Sequence, residues 1–209
     1  MATINDDLAS PMILAVGASP RKGGNSDILL MHFTAGARKA GVETEEIQLR
    51  DLSFSPCIGC EQCRRTGECS RLDDDMTAVY PKIAASRGLF LISPVHHYNV
   101  TAWMKAFIDR LYCYYDFSMP RPGRWASRLA GQGRKAVVCA VCEQLDREDM
   151  GLTLEAMQRP LEALGYEILK TIPVLGIFDR GTVSSRPDII GTTERYGEVL
   201  ARDIMHCMR

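Results

Sequence analysis

Met12-Ile-Leu-Ala-Val-Gly17, followed at once by Ala18-Ser-Pro-Arg-Lys-Gly-Gly-Asn-Ser26, is the stretch whose reading decides the fold. An unbroken apolar run of this length, ended by glycine, is the pattern of a strand buried on both faces in a parallel sheet. The loop leads into Ser26–Ala40, where Leu29, Phe33, Ala37 and Ala40 keep helical spacing until Gly41 stops them. The same unit recurs downstream. Val42–Leu49 is rich in β-formers, and Asp73 and Asp74 offer caps before a helix over Met76–Ala85. Gly88–Ser93 and Lys135–Cys142 read as two more buried strands. Trp103, Phe107 and Leu111 give Thr101–Tyr114 a helical stripe. Met150–Leu164, Tyr166–Val174 and Asp188–Cys207 complete the series as helix, strand and helix. Strands alternating with helices in this way predict a doubly wound α/β domain over residues 1–209, with five parallel strands in the flavodoxin-like order. Two connections are unusually long, Arg50–Leu72 and Asp116–Arg134, and such loops are usually functional or interface insertions.

Length and charge narrow the function classes. At 209 residues the chain suits one domain. Lys and Arg number 25 against 26 Asp and Glu, so a net charge of −1 argues against nucleic acid or an anionic membrane as partner. No apolar run has the length of a membrane span, and Met1–Pro11 lacks the basic and apolar regions of a leader. A cytoplasmic protein is expected. In such a compartment eight cysteines suggest metal or redox chemistry before disulfides.

In open α/β sheets ligands bind beyond the carboxyl ends of the strands, where Gly17–Ser26 lies. The loop lacks the Gly-x-Gly-x-x-Gly dinucleotide spacing, and no Lys stands between the last Gly and Ser26 as a triphosphate loop requires. Ser19, Gly24, Asn25 and Ser26 at a helix start, with Arg21 nearby, instead suit one phosphate monoester. A plain polar turn with Ser26 as N-cap is the alternative.

Gly-x-Ser-Pro-Arg-x-x-Gly-Asn-Ser resembles the FMN phosphate loop of the NADPH-dependent FMN reductase and multimeric flavodoxin group. The resemblance continues through Ser93-Pro-Val-His-His-Tyr-Asn-Val-Thr-Ala-Trp-Met-Lys-Ala-Phe-Ile-Asp-Arg110 and covers roughly residues 12–174. It implies that Pro94, Val95, His96, His97, Tyr98 and Asn99 run along the isoalloxazine ring. Relatives usually carry aromatics where His96 and His97 stand, which leaves ring stacking, a donor to the pyrimidine edge, or neither. Lys105, Asp109 and Arg110 read as a helix-surface ion network.

Cys57, Cys60, Cys63 and Cys69 form C-x2-C-x2-C-x5-C, close to the ferredoxin run that holds a cubane cluster. Gly59 and Gly67 permit tight turns, and Arg64 and Arg65 would offset a cluster's negative charge. Reduced thiols or a zinc site are the other readings. The motif resembles that of iron–sulfur flavoproteins, which implies a 4Fe-4S cluster beside FMN, although the fourth gap is wider and the ferredoxin proline is missing. Cys139 and Cys142 face opposite sides of a strand and cannot chelate one ion. With Cys113 and Cys207 they read as buried small hydrophobes. Pro120–Trp125 suits either a subunit contact or a dinucleotide phosphate.

Together these readings predict an oxidoreductase that passes a hydride from NAD(P)H to FMN. The electrons would go to a cluster, a flavin, a quinone or another small acceptor, or to a redox protein. No side chain is expected to act as catalytic acid or base, because the cofactor carries the chemistry. A homodimer or homotetramer is expected as the working unit. The competing classes are a non-enzymatic electron carrier of the flavodoxin type and a metal-stapled structural module.

Overall fold

Period-two alternation in the central strands distributes their side chains between two cores. In the computed structural model, which describes residues 12–207, Leu14, Val16, Leu89, Leu91, Ala136 and Val138 face one layer of helices. Ile13, Ala15, Phe90, Ile92, Val137 and Cys139 face the other. Residues 1–11, on which the leader argument rested, lie outside the described residues.

The strands of this sheet are β1 (Met12–Gly17), β2 (Glu43–Gln48), β3 (Gly88–Pro94), β6 (Lys135–Val141) and β7 (Glu167–Val174). They pair in the parallel order β2-β1-β3-β6-β7, the expected flavodoxin-like winding. Helices α1 (Asn25–Lys39) and α6 (Pro187–His206) cover one face. Helices α3 (Met76–Ala85), α4 (Ala102–Arg110) and α5 (Thr153–Leu164) cover the other. Among the described residues no helix is long and apolar enough to cross a membrane.

Four local expectations change. The helix expected over Thr101–Tyr114 tightens to a 3-10 turn at Leu111–Tyr114. The Asp116–Arg134 connection carries an antiparallel hairpin, β4 (Tyr115–Phe117) with β5 (Trp125–Ser127), and the cysteine loop contains a single helical turn, α2 (Cys63–Thr66). Arg110 is not part of a surface network. It is 1% exposed, while Lys105 and Asp109 do pair at the surface. Arg110 lies three residues after Phe107, and that spacing places it on the helix face that meets the core.

Candidate functional site

Helix α1 starts without a side-chain cap: Gly24 is its N-cap, and the N–H groups of Asn25, Ser26 and Asp27 find no acceptor among the described residues. Three free donors at the positive end of a helix dipole form an anion site. A Cβ at Gly24 would lie 2.9 Å from the Arg21 carbonyl oxygen, so the tight loop requires glycine there. The Ser19 oxygen accepts the Arg21 N–H at 3.2 Å, which leaves the Ser19 proton to donate. Ser26 is buried at the same place. Asp27, a carboxylate beside an anion site, is neutralised by Arg50 through paired bonds of 2.9 and 2.8 Å, and Arg50 also donates to the Ser19 carbonyl.

This helix start opens into a cavity of about 160 Å3 at the carboxyl ends of the strands. Ser19, Arg21, Asn25, Ser26, Pro94, Val95 and His96 line it. Sequence reasoning missed Glu143, Ile177, Phe178 and Arg180, which follow β6 and β7 and complete the wall. The strand-end rule that singled out the first loop applies equally to these two. Arg21 covers the Phe178 ring at 4.7 Å and donates to the Phe178 carbonyl at 3.0 Å. The Asn25 side chain departs from its expected role as a phosphate donor. Its amide donates to the Asp179 carbonyl at 2.9 Å and accepts the Val183 N–H at 3.1 Å, so it straps the 177–183 loop to α1. Asn25 offers the anion its backbone N–H alone.

The expected ring-binding segment is split. His96 and Asn99 exchange backbone hydrogen bonds, and His97 and Tyr98 between them have φ of 49° and 63°. Two non-glycine residues at positive φ make a strained, sharply defined turn. His96, His97, Tyr98 and Asn99 are all exposed, and of them only His96 lines the cavity. The Tyr98 carbonyl accepts the Leu152 N–H at 2.8 Å, fixing the turn against the segment before α5.

The cysteine loop lies on the opposite face of the sheet from α1. Cys57, Cys60, Cys63 and Cys69 line one cleft of about 330 Å3 together with Tyr112. Burial, followed by the neighbouring Cys69, Cys57 and Cys60, pushes the Cys63 thiol up. Among the described residues no three His, Cys, Asp or Glu side chains stand close enough to hold a single metal ion. The loop's two stems are tied by Arg110, which donates to the Ser55 carbonyl at 2.8 Å and to both Asp74 oxygens at 2.7 and 3.0 Å. Cys113 is buried beside this cleft. Its thiol is pushed up to about 12 by burial, then by Cys69 and Cys63. Cys139 and Cys142 are buried in opposite cores, as expected, whereas Cys207 is exposed near the end of α6, a correction to its expected burial.

The profile of the NADPH-dependent FMN reductase family matches residues 11–142, well over half of the chain. The chain belongs to the NADPH-dependent FMN reductase family. Among curated relatives, an iron–sulfur flavoprotein of Archaeoglobus fulgidus is 38% identical over 102 residues, 48% of this chain and 46% of that protein. One from Methanocaldococcus jannaschii is 35% identical over 98 residues, 47% and 50% of the two chains. The matches thus span about half the length of these relatives. Among solved structures, an NAD(P)H:quinone oxidoreductase from Methanothermobacter marburgensis superposes with a TM-score of 0.71 at 22% identity, over 92% of this chain and all of that one. This is a likeness of fold. The family is one of oxidoreductases that work with FMN, and its profile runs from the first strand through the phosphate loop and the cysteine loop to the end of β6.

Proposed function

We propose that the chain is an FMN-dependent oxidoreductase that takes a hydride from NAD(P)H and passes electrons one at a time to a 4Fe-4S cluster in the cysteine loop. From there they go to a flavin, quinone, other small acceptor or redox protein. The observation that carries the flavin assignment is the uncapped start of α1, three free N–H groups opening into the cavity lined by Pro94, Val95 and His96. The phosphate would take these N–H groups with the hydroxyls of Ser19 and Ser26, and Arg21 would add charge at the rim. Pro94 and Val95 offer an apolar edge to a flat ring, with His96 at its polar side and Phe178 closing the mouth. Bound FMN supplies hydride acceptance and single-electron release. The chain's own part is to hold the phosphate, orient the ring and limit water.

Two facts support the cluster. Relatives that share about half of the chain bear the name iron–sulfur flavoprotein. The cleft is lined by four thiols, and its two carboxylates, Glu61 and Asp109, are engaged by Arg121 and Lys105.

Replacing Ser19 and Ser26 together with alanine should weaken FMN by about 1.5–3 kcal/mol for each lost hydrogen bond to the charged phosphate. Fluorescence titration measures it, and unchanged affinity would remove the phosphate assignment. Stopped-flow mixing with NADPH and NADH tests the reductase itself. Bleaching of flavin absorbance by either supports it. A flavin that only a reduced protein partner can bleach would make the chain an electron carrier.

A further inference from the structure

The hairpin β4–β5 interrupts the sheet's winding, and the cleft assignments above give it no role. Its contacts converge on the cysteine loop. Arg64, on the turn that begins with Cys63, lies over the Phe117 ring at 3.7 Å and donates through Nε to the Tyr112 hydroxyl at 3.2 Å. Phe117 stacks on Tyr112 with ring centres 5.1 Å apart, and Tyr112 forms part of the cleft wall. Arg121, at the hairpin tip, pairs with Glu61. Arg128, just past β5, donates to the carbonyls of Gly67 and Cys113, and so joins the turn between Cys63 and Cys69 to the buried thiol beside it. Gly67 has φ of 74°, and a Cβ there would meet the Arg128 guanidinium at 2.5 Å. The positive φ favours glycine there, and the absent side chain lets the guanidinium pack against the turn.

We propose that this hairpin is a clasp that presets the cysteine loop for its cluster, with Arg64 as the positioning residue, held by Phe117 and by Tyr112 of the cleft wall. The inference rests on the cluster reading above. It separates two arginines that are adjacent in sequence. Arg64 is half-buried and fixed by two aromatic residues, whereas Arg65 is exposed. A fixed, partly desolvated cation acts on a nearby redox centre far more than a solvated one does, because water and salt screen the second. A cation beside a cluster favours its reduced, more negative state.

The test uses the full chain with FMN, reconstituted with iron and sulfide without oxygen. R64M should lower the cluster's midpoint potential in a spectroelectrochemical titration and speed iron release to a ferrous chelator several-fold. R64K, which keeps the charge, should recover most of the potential. R65M should move neither quantity comparably, and F117L should loosen the loop as R64M does. Hydrogen exchange of residues 57–69 in metal-free protein provides a second readout, with faster exchange expected in R64M and F117L. Equal potentials in R64M and R65M would overturn the role of Arg64. Unchanged exchange in both R64M and F117L would overturn the clasp. If the wild-type chain takes up no iron, the cluster reading fails by itself, and the exchange measurement still decides the clasp.

Discussion

A fully buried guanidinium must be matched group for group, and Arg110 is. Asp74 takes two of its nitrogens, the Ser55 carbonyl shares one, and the Tyr80 hydroxyl accepts from Nε at 3.0 Å. Replacing Arg110 with methionine leaves Asp74 facing an apolar neighbour. It should cost about 3 kcal/mol, the lower end of the range for a broken buried pair, because Asp74 keeps some contact with water. Chemical denaturation would measure it. Burial pushes the Asp74 carboxyl up, but the Arg110 hydrogen bonds, the Ser55 and Met76 N–H groups and the Arg110 charge outweigh this and hold it below the usual range. A depressed carboxylate stabilises the fold above its unfolded value, about pH 4, and that contribution is lost as pH falls through the folded value. Asp74→Asn should therefore flatten the acid limb of the stability profile; an unaltered limb would contradict this. The residue-level signals were legible unevenly. Ser19 and Ser26 could be read from loop chemistry, whereas Asn25 could not, since its partners at Asp179 and Val183 are more than 150 positions away in the chain.

At the scale of elements, the crossing of α1 and α6 depends on small residues. A Cβ at Gly197 would stand 2.0 Å from the Phe33 carbonyl oxygen, while Gly191, two turns earlier in α6, has nothing within 4 Å. The same substitution should thus have opposite signs in one helix. Gly197→Ala should cost about 1–3 kcal/mol through overpacking. Gly191→Ala should add about 0.5–1 kcal/mol by lowering the entropy lost on folding. Matching signs in urea titrations would contradict the crossing geometry. The long elements were legible because their apolar periods are unambiguous: every core strand and helix lies within a few residues of its expected bounds. The hairpin was not. Its strands are three residues each, too short to show alternation, and the segment between them is dense in Pro, Gly and Arg. The walls after β6 and β7 were hidden for another reason: Glu143 and Arg180 carry no local motif, and only the sheet's closure brings them to the phosphate loop.

At the scale of the molecule, large apolar side chains remain in water beside both candidate sites as well as elsewhere. Met119, Trp125 and Ile58 belong to the hairpin and the cysteine loop, and Phe178 lines the phosphate-loop cavity. Exposed apolar side chains gathered in this way are typical of surfaces that become covered. A homodimer or homotetramer is therefore expected, and light scattering of the FMN-loaded chain at micromolar concentration should give a multiple of 23.3 kDa; a monomer mass would contradict it. The measurement that bears most directly on the proposed function is the composition of protein made and handled without oxygen: flavin by its visible spectrum, iron and sulfide by analysis. One FMN with about four irons and four sulfides per chain is expected, and Cys60→Ala should lose the iron while keeping the flavin. Protein that holds FMN but no iron would contradict the cluster, and protein that holds neither and cannot be loaded with FMN would contradict the site built at the start of α1.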